Sequence, residues 1–235
     1  MRNYFTLDGV DSRDFGVYIS GQGTFSAPAR SYELLSVPGR NGDLVGTETR
    51  FENGELTYPA FIYANFKQNI ADFRAFLNSL FGYHRLVDSY HTGEYRMVFF
   101  QGEFDPDVTE KNDAASFDIT FNCKPQRFLT SGETYVNLYA DGTITNPTRF
   151  NSQPLLRVYG AGNLGINGDT ITISQANVYT DIDCELMDAY KGAVNCNQNV
   201  TLSNYNFPVL VPGDNSFSLG TGITRVRILP RWWTI

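Results

Sequence analysis

Ser36-Val37-Pro38-Gly39-Arg40-Asn41-Gly42-Asp43-Leu44, continuing through Val45-Gly46-Thr47-Glu48-Thr49-Arg50-Phe51 to Asn53-Gly54, is the stretch on which the fold of this chain turns. Pro38-Gly39 and Asn41-Gly42 favour turns, because proline fixes φ and glycine accepts positive φ. Asn53-Gly54 reads as a two-residue hairpin turn between strands at Val45–Phe51 and Glu55–Ala64. The result is an arm over about residues 44–64, with the Pro/Gly stretch as its hinge. Its first strand is mostly polar, and an isolated two-stranded ribbon is marginally stable in water. The arm therefore needs a surface to lie on, and a neighbouring copy of the chain is expected to supply it. Pro38, Gly39, Arg40, Asn41, Gly42, Asp43, Thr47, Thr49 and Phe51 are the candidate interface residues.

Downstream of the arm, Phe66, Ile70, Phe73, Leu77 and Leu80 recur at helical spacing, with Phe76 and Phe81 widening the stripe. This predicts a helix over about 66–81. Asn65 is placed to cap it with Gln68 as capping-box partner, and Gly82 stands where the helix must stop. Its apolar stripe is expected to lie on the chain's own sheet. Upstream, Asn3–Leu7 and Phe15–Ile19 read as short strands, and Ser20–Arg30 as a Gly/Ser/Pro loop. Strands are expected at His84–Val87, Glu94–Phe100 and Ala115–Cys123. In the last, Phe117, Ile119, Phe121 and Cys123 face one way and Ser116, Asp118, Thr120 and Asn122 the other. A polar acidic loop, Asp105–Asp113, precedes it.

After Ser131 helical periodicity ends. Thr134–Ala140, Leu155–Gly160, Thr170–Ser174, Val178–Cys184, Phe207–Val211, Ser216–Leu219 and Ile223–Leu229 read as strands. Asp141-Gly142, Asn167-Gly168 and Pro212-Gly213-Asp214-Asn215 are turns between them. Short strands at this spacing, with no crossover helices, indicate an antiparallel β-sandwich. The fold class is mostly β in two domains. Residues 1–128 form a β-sandwich or barrel-like domain with one helix and the arm, and 129–235 form a second sandwich.

The 235 residues carry a net charge of −7, and no block of Lys or Arg stands anywhere. Stable nucleic-acid binding needs a basic stripe, so none is expected. No apolar run approaches a bilayer span and no signal-peptide h-region opens the chain, so no membrane insertion is expected. Cys123, Cys184 and Cys196 contain no CxxC and read as reduced packing thiols of a protein made in cytoplasm.

Several groups of these residues, taken in order, are similar to distal tail proteins of long, non-contractile-tailed bacteriophages. In the first half they are Asp11-Ser12-Arg13-Asp14-Phe15-Gly16-Val17, Val37–Leu44 and Phe117–Cys123 with Lys124-Pro125. In the second half they are Asn151-Ser152-Gln153-Pro154-Leu155-Leu156, Gly165-Ile166-Asn167-Gly168, Asn204-Tyr205-Asn206-Phe207-Pro208, Pro212–Asn215 and Pro230-Arg231-Trp232-Trp233. The resemblance implies a homohexameric ring built by the first domains, with galectin-like second domains outside it. It implies a structural virion component at the tail tip that joins the tail tube protein to the tail-associated hub protein and leaves a channel for DNA. Receptor-binding proteins are possible further partners. Ser131–Ile235 leaves no room for an inserted glycan-binding module.

The residues themselves fit such assembly. A polar arm can add to the edge of a neighbour's sheet, where main-chain bonds supply affinity. Repeated head-to-tail contacts close into a ring when the rotation permits. Arg40 and Asp43 either pair across copies or only brace their turn.

No catalytic or metal constellation is legible, and no cofactor or enzymatic activity is expected. His84 and His91 stand in no ligand spacing, and there is no GxSxG elbow or P-loop. Asp181, Asp183 and Glu185 share one face of a strand, either to hold a cation or to meet solvent. Trp232 and Trp233 offer the alternative function, a carbohydrate-binding module for cell-wall saccharide. Neighbouring strand residues point to opposite faces, so one Trp is expected in the core and the other at an edge.

Overall fold

The computed structural model describes residues 2–20, 26–46, 50–63 and 65–235. The chain forms two compact units, Met1–Arg127 with Ile235, and Phe128–Thr234. Among the described residues the fold is mostly β with one α-helix.

The first unit contains β1 (Phe5–Leu7), β2 (Val10–Asp11), β3 (Val17–Ile19), β4 (Leu34–Leu35), β5 (Leu44–Val45) and β6 (Gly54–Ile62). They are followed by α1 (Phe66–Ser79), β7 (His84–Asp88), β8 (Glu94–Phe100), β9 (Asp107–Val108) and β10 (Ala115–Leu129). Its sheet runs β2-β1-β7-β8-β10-β6-β3, with β9 added on β10. The sheet curls far enough that Asn3, just before β1, pairs with Ile19 at the end of β3.

Alternation decides the inner face. Leu56, Tyr58, Ala60 and Ile62 of β6 and Phe117, Ile119, Phe121 and Cys123 of β10 are all buried. Tyr58 lies among Phe5 and Phe121, with its hydroxyl donated to the buried Asp88 carboxylate. Helix α1 closes this core with Phe73 and Leu77. Phe73 packs 5.6 Å from Phe15, 5.8 Å from Phe104 and 6.1 Å from Phe117, ring centre to ring centre.

The expected hairpin at Asn53-Gly54 does not form. Gly54 opens β6, which pairs with β10 in an unbroken nine-residue register from Gly54↔Cys123 to Ile62↔Ala115. The reason lies in the side chains. Leu56, Tyr58 and Ile62 of β6, with the smaller Ala60 between them, gain burial in the core, which a polar ribbon partner cannot match. The residues before Asn53 instead fold back on earlier ones. β4 pairs with β5 through Leu34↔Val45 and Leu35↔Leu44, and Arg30 pairs with Phe51. The arm therefore spans 30–51 rather than 44–64, and Ser36–Asp43 is its tip rather than its hinge.

Smaller departures have local causes. Asn65 takes φ 45° and makes no side-chain cap, since a left-handed residue does not aim its side chain at the first-turn N–H groups. Gln68 Nε2 donates instead to Asp72. The helix ends at Ser79, so Phe81 lies outside the stripe and is almost fully exposed. Residues 12–15 form a 3-10 turn because Asp11 accepts the Arg13 N–H at 2.8 Å. Phe207–Val211 is no strand; only Leu210 pairs, with Ser152.

The second unit holds β11 (Val136–Leu138), β12 (Gly142–Asn146), β13 (Leu155–Gly160), β14 (Gly162–Ile166), β15 (Asp169–Ile173), β16 (Tyr179–Asp183), β17 (Asp188–Lys191), β18 (Val194–Asn195), β19 (Val200–Leu202), β20 (Gly213–Leu219), β21 (Ile223–Leu229) and β22 (Trp233–Thr234). Two antiparallel sheets, β11-β21-β13-β16-β17-β18 and β12-β20-β14-β15-β19, enclose a core that includes Leu156, Val158, Leu164, Ile182, Phe217, Val226 and Ile228. The strands β12, β14, β17, β18 and β19 are short, two to five residues each, and carry too little apolar pattern to be read from sequence.

Two outcomes check this architecture. Phe73→Ala is expected to cost about 3–5 kcal/mol of unfolding free energy, measured by denaturant titration, because its pocket is closed by three aromatic rings. Burial pushes the Cys123 and Cys184 thiols up to about 12, while Cys196 is only half-buried. An aromatic disulfide reagent at about pH 8 is expected to label Cys196 alone in the native protein and all three thiols after unfolding.

Candidate functional site

Turn chemistry builds the arm. Gly39 and Gly42 both sit at φ 81°, a region that costs glycine nothing. The Arg40 N–H donates to the Val37 carbonyl at 3.1 Å and tightens the tip. Pro38, Gly39, Arg40, Asn41, Gly42 and Asp43 are all exposed there. Lower down, Phe51 is half-buried and lies under the Arg30 guanidinium at 4.4 Å, which braces the arm on itself. Thr47 and Thr49 lie outside the described residues.

The arm's apolar content is larger than its first strand suggested. Tyr32, Leu34, Leu35, Leu44 and Val45 are 56%, 61%, 49%, 38% and 61% exposed. Both faces of the ribbon thus carry aliphatic groups into water. Contiguous exposed apolar surface of this kind marks contact sites. An arm read as starting near residue 44 leaves Leu34-Leu35 out of it. The signal was there in Leu34-Leu35 and Leu44-Val45, equally spaced about the tip.

The body of this unit offers the arm few edges to join. Asn3 accepts the Ile19 N–H at 3.0 Å, and the remaining end strands β2, β3 and β9 are two or three residues long. What it offers is the outer face of the sheet. Tyr18, Phe61 and Tyr63 stack there at 5.7–6.2 Å, with the Arg2 guanidinium 4.5 Å from the Tyr63 ring centre.

The acidic strand residues of the second unit form no cation site. Asp181 receives a forked bond from Arg157 at 2.7 and 2.9 Å. Asp183 receives one from Arg231 at 2.7 and 2.8 Å, and Glu185 sits 3.2 Å from the same guanidinium. Arg157 pairs with Asp181, and Arg231 is shared between Asp183 and the exposed Glu185. Among the described residues no group of three His, Cys, Asp or Glu is placed to hold a metal ion. Trp232 is 5% exposed and offers no face to a sugar. Trp233 stacks on Phe150 at 4.5 Å and donates its indole N–H to Asn151, so one of its faces is already spent.

No family model and no curated protein matches this sequence. Among solved structures, the crystal structure of SPP1 Dit (gp 19.1), described as a paradigm of the hub adsorption apparatus in Gram-positive infecting phages, superposes with a TM-score of 0.76. That match covers 100% of both chains at 13% identity. The chain has the SPP1 Dit fold. The phage P2 baseplate in its activated conformation also matches, over 97% of this chain and 98% of that one, at 14% identity and a TM-score of 0.47.

The Dit fold is held in the second unit by polar locks at its turns. Asn215 is fully buried, accepts the Val211 N–H and donates to the carbonyls of Val211, Gly213 and Ile144. Asn167 donates to Asn215 at 2.8 Å and accepts the Ser216 N–H. The Asp183–Arg231 fork fastens the C-terminal segment. Burial alone would raise the Asp183 carboxyl, but Arg231 and the N–H groups of Leu186 and Glu185 favour its charged form and hold it below the ordinary 3.8. Its contribution is therefore complete above the ordinary carboxylate range and fades as pH falls through the depressed value. Asp183→Asn is expected to cost about 2 kcal/mol near neutral pH, because it removes the forked charged partner of a half-buried guanidinium and leaves it the exposed Glu185. The gap to wild type in thermal midpoint should narrow as the pH falls from about 7 into and below the ordinary carboxylate range.

Proposed function

We propose that this chain is a structural component of a phage tail tip. Copies associate head-to-tail through their arms into a closed ring, a hexamer by its likeness to distal tail proteins. The ring joins the tail tube to the hub protein and leaves a channel for DNA. The observation that carries this reading is an arm with aliphatic groups on both faces that its own unit leaves uncovered. The end-to-end match with SPP1 Dit, itself described as part of an adsorption apparatus, supports the setting.

The physics favours a ring over a catalyst. A ribbon of two paired residues per strand cannot stabilise itself. Covering it on a second copy relieves both molecules at once. A heterologous contact leaves each copy with one arm given and one site filled, which closes or propagates. A durable contact of this type buries on the order of 1,600 Å². Acidic chains suit a conduit that must not hold its passing polyanion, since neutralised phosphates are what make DNA adhere.

Purified protein examined by sedimentation and negative-stain imaging at tens of micromolar is expected to show closed rings. Replacing residues 31–50 by a short Gly-Ser link should leave a folded chain, with little change in thermal midpoint, that stays monomeric. A collapse of stability on that deletion would place the arm in its own unit's core and end this reading.

A further inference from the structure

On the outer face of the first unit's sheet, β6 and β10 set Pro59 beside Asp118 and Phe61 beside Ser116, while β9 sets Asp107 beside Ser116. Their sequence neighbours Tyr58, Ala60, Phe117 and Ile119 are buried, so these groups face outward by alternation. With Glu103 and Asp105 they line an open trough of about 690 Å³. Its floor is apolar, its walls carry four carboxylates, and no lysine or arginine lines it. Among the described residues none of the four forms a salt bridge.

We infer that this trough seats the arm tip of a second copy, with Arg40 among Asp105, Asp107 and Asp118 and the flanking aliphatic groups on Pro59 and Phe61. The inference rests on the ring reading and names the surface that reading leaves open. Three features select this occupant. The end strands β2, β3 and β9 are only two or three residues long and give an incoming strand little backbone to pair with, which favours docking of the arm by its exposed side chains. Arg40 is the cation at the apex of an apolar ribbon, which complements an apolar floor with anionic walls. The arm's own copy leaves these side chains exposed, so the chain does not fill its own trough. Asp43 closes the tip loop next to β5 and stays outside the carboxylate walls.

Charge reversal tests the seat. Arg40→Glu and Asp118→Arg are each expected to weaken self-association at least tenfold in sedimentation velocity, with a loss that diminishes at high salt. The double variant should recover most of it. Asp43→Asn should leave association unchanged or tighter. If Arg40 and Asp43 instead paired with each other across copies, Asp43→Asn would weaken association and the seat would be wrong. If arm deletion abolishes assembly while Arg40→Glu and Asp118→Arg do not, the ring reading survives and the seat falls. A second measurement captures weak contact. In a Cys196→Ser background, Arg40→Cys chains mixed with Asp118→Cys chains under mild oxidation should yield a crosslinked pair. Each chain alone should yield little, and equal yields in all three samples would overturn the proposal.

Discussion

The nine-residue antiparallel register between Gly54–Ile62 and Ala115–Cys123 governs the rest of the first unit. A one-residue slip would carry Tyr58 and Phe121 to the outside, and with them the ring cluster that holds Phe5. The register also decides what the preceding residues can do. With β6 committed to the core, the chain from Arg30 to Phe51 is left to fold on itself. It achieves two paired residues per strand around an eight-residue tip. The arm is thus a by-product of a strand that found a better partner. Its aliphatic groups remain in water because nothing in its own unit needs them.

The same register fixes the outer face. Side chains that alternate with the core residues are placed in rows, and the rows juxtapose Pro59 with Asp118 and Phe61 with Ser116. An apolar floor with carboxylates beside it follows from pairing alone. Exposed carboxylates also serve as a guard. A face with unneutralised like charges repels casual sheet stacking and accepts only a partner that brings a cation. Specificity and solubility come from the same groups.

Much of this is legible in the sequence. Helix α1 announced itself through Phe66, Ile70, Phe73 and Leu77, since a stripe that long has no competing explanation. Strand β10 did so through strict alternation. The arm's bounds are not legible in the sequence, because Asn53-Gly54 carries a strong local hairpin signal that competes with the inward pattern of Leu56, Tyr58, Ala60 and Ile62. Turn propensity contributes fractions of a kcal/mol, whereas burying four such side chains contributes several. The trough was illegible because its walls come from β6, β9, β10 and the Glu103–Asp105 segment, which only the register brings together. In the second unit, Asn167, Asn215 and Arg231 looked like family markers, and the structure shows what they do. Each locks a turn or a terminus whose buried backbone groups would otherwise lack partners, a role that short motifs cannot display.

Sheet closure supplies the last step. An open curled sheet exposes edge strands that template uncontrolled pairing, and proteins meet that hazard by shortening or covering them. Here the Asn3–Ile19 bridge and the two- and three-residue end strands do so. That protection has a consequence for assembly. End strands this short give a neighbour little backbone to pair with, which favours association through side chains on faces. Face contacts need shape and charge to match, and a projecting ribbon with a cation at its apex is a form that meets an acidic trough at one position and one orientation. A contact with a single allowed orientation repeats with a fixed rotation from copy to copy, and a fixed rotation is what closure into a ring requires.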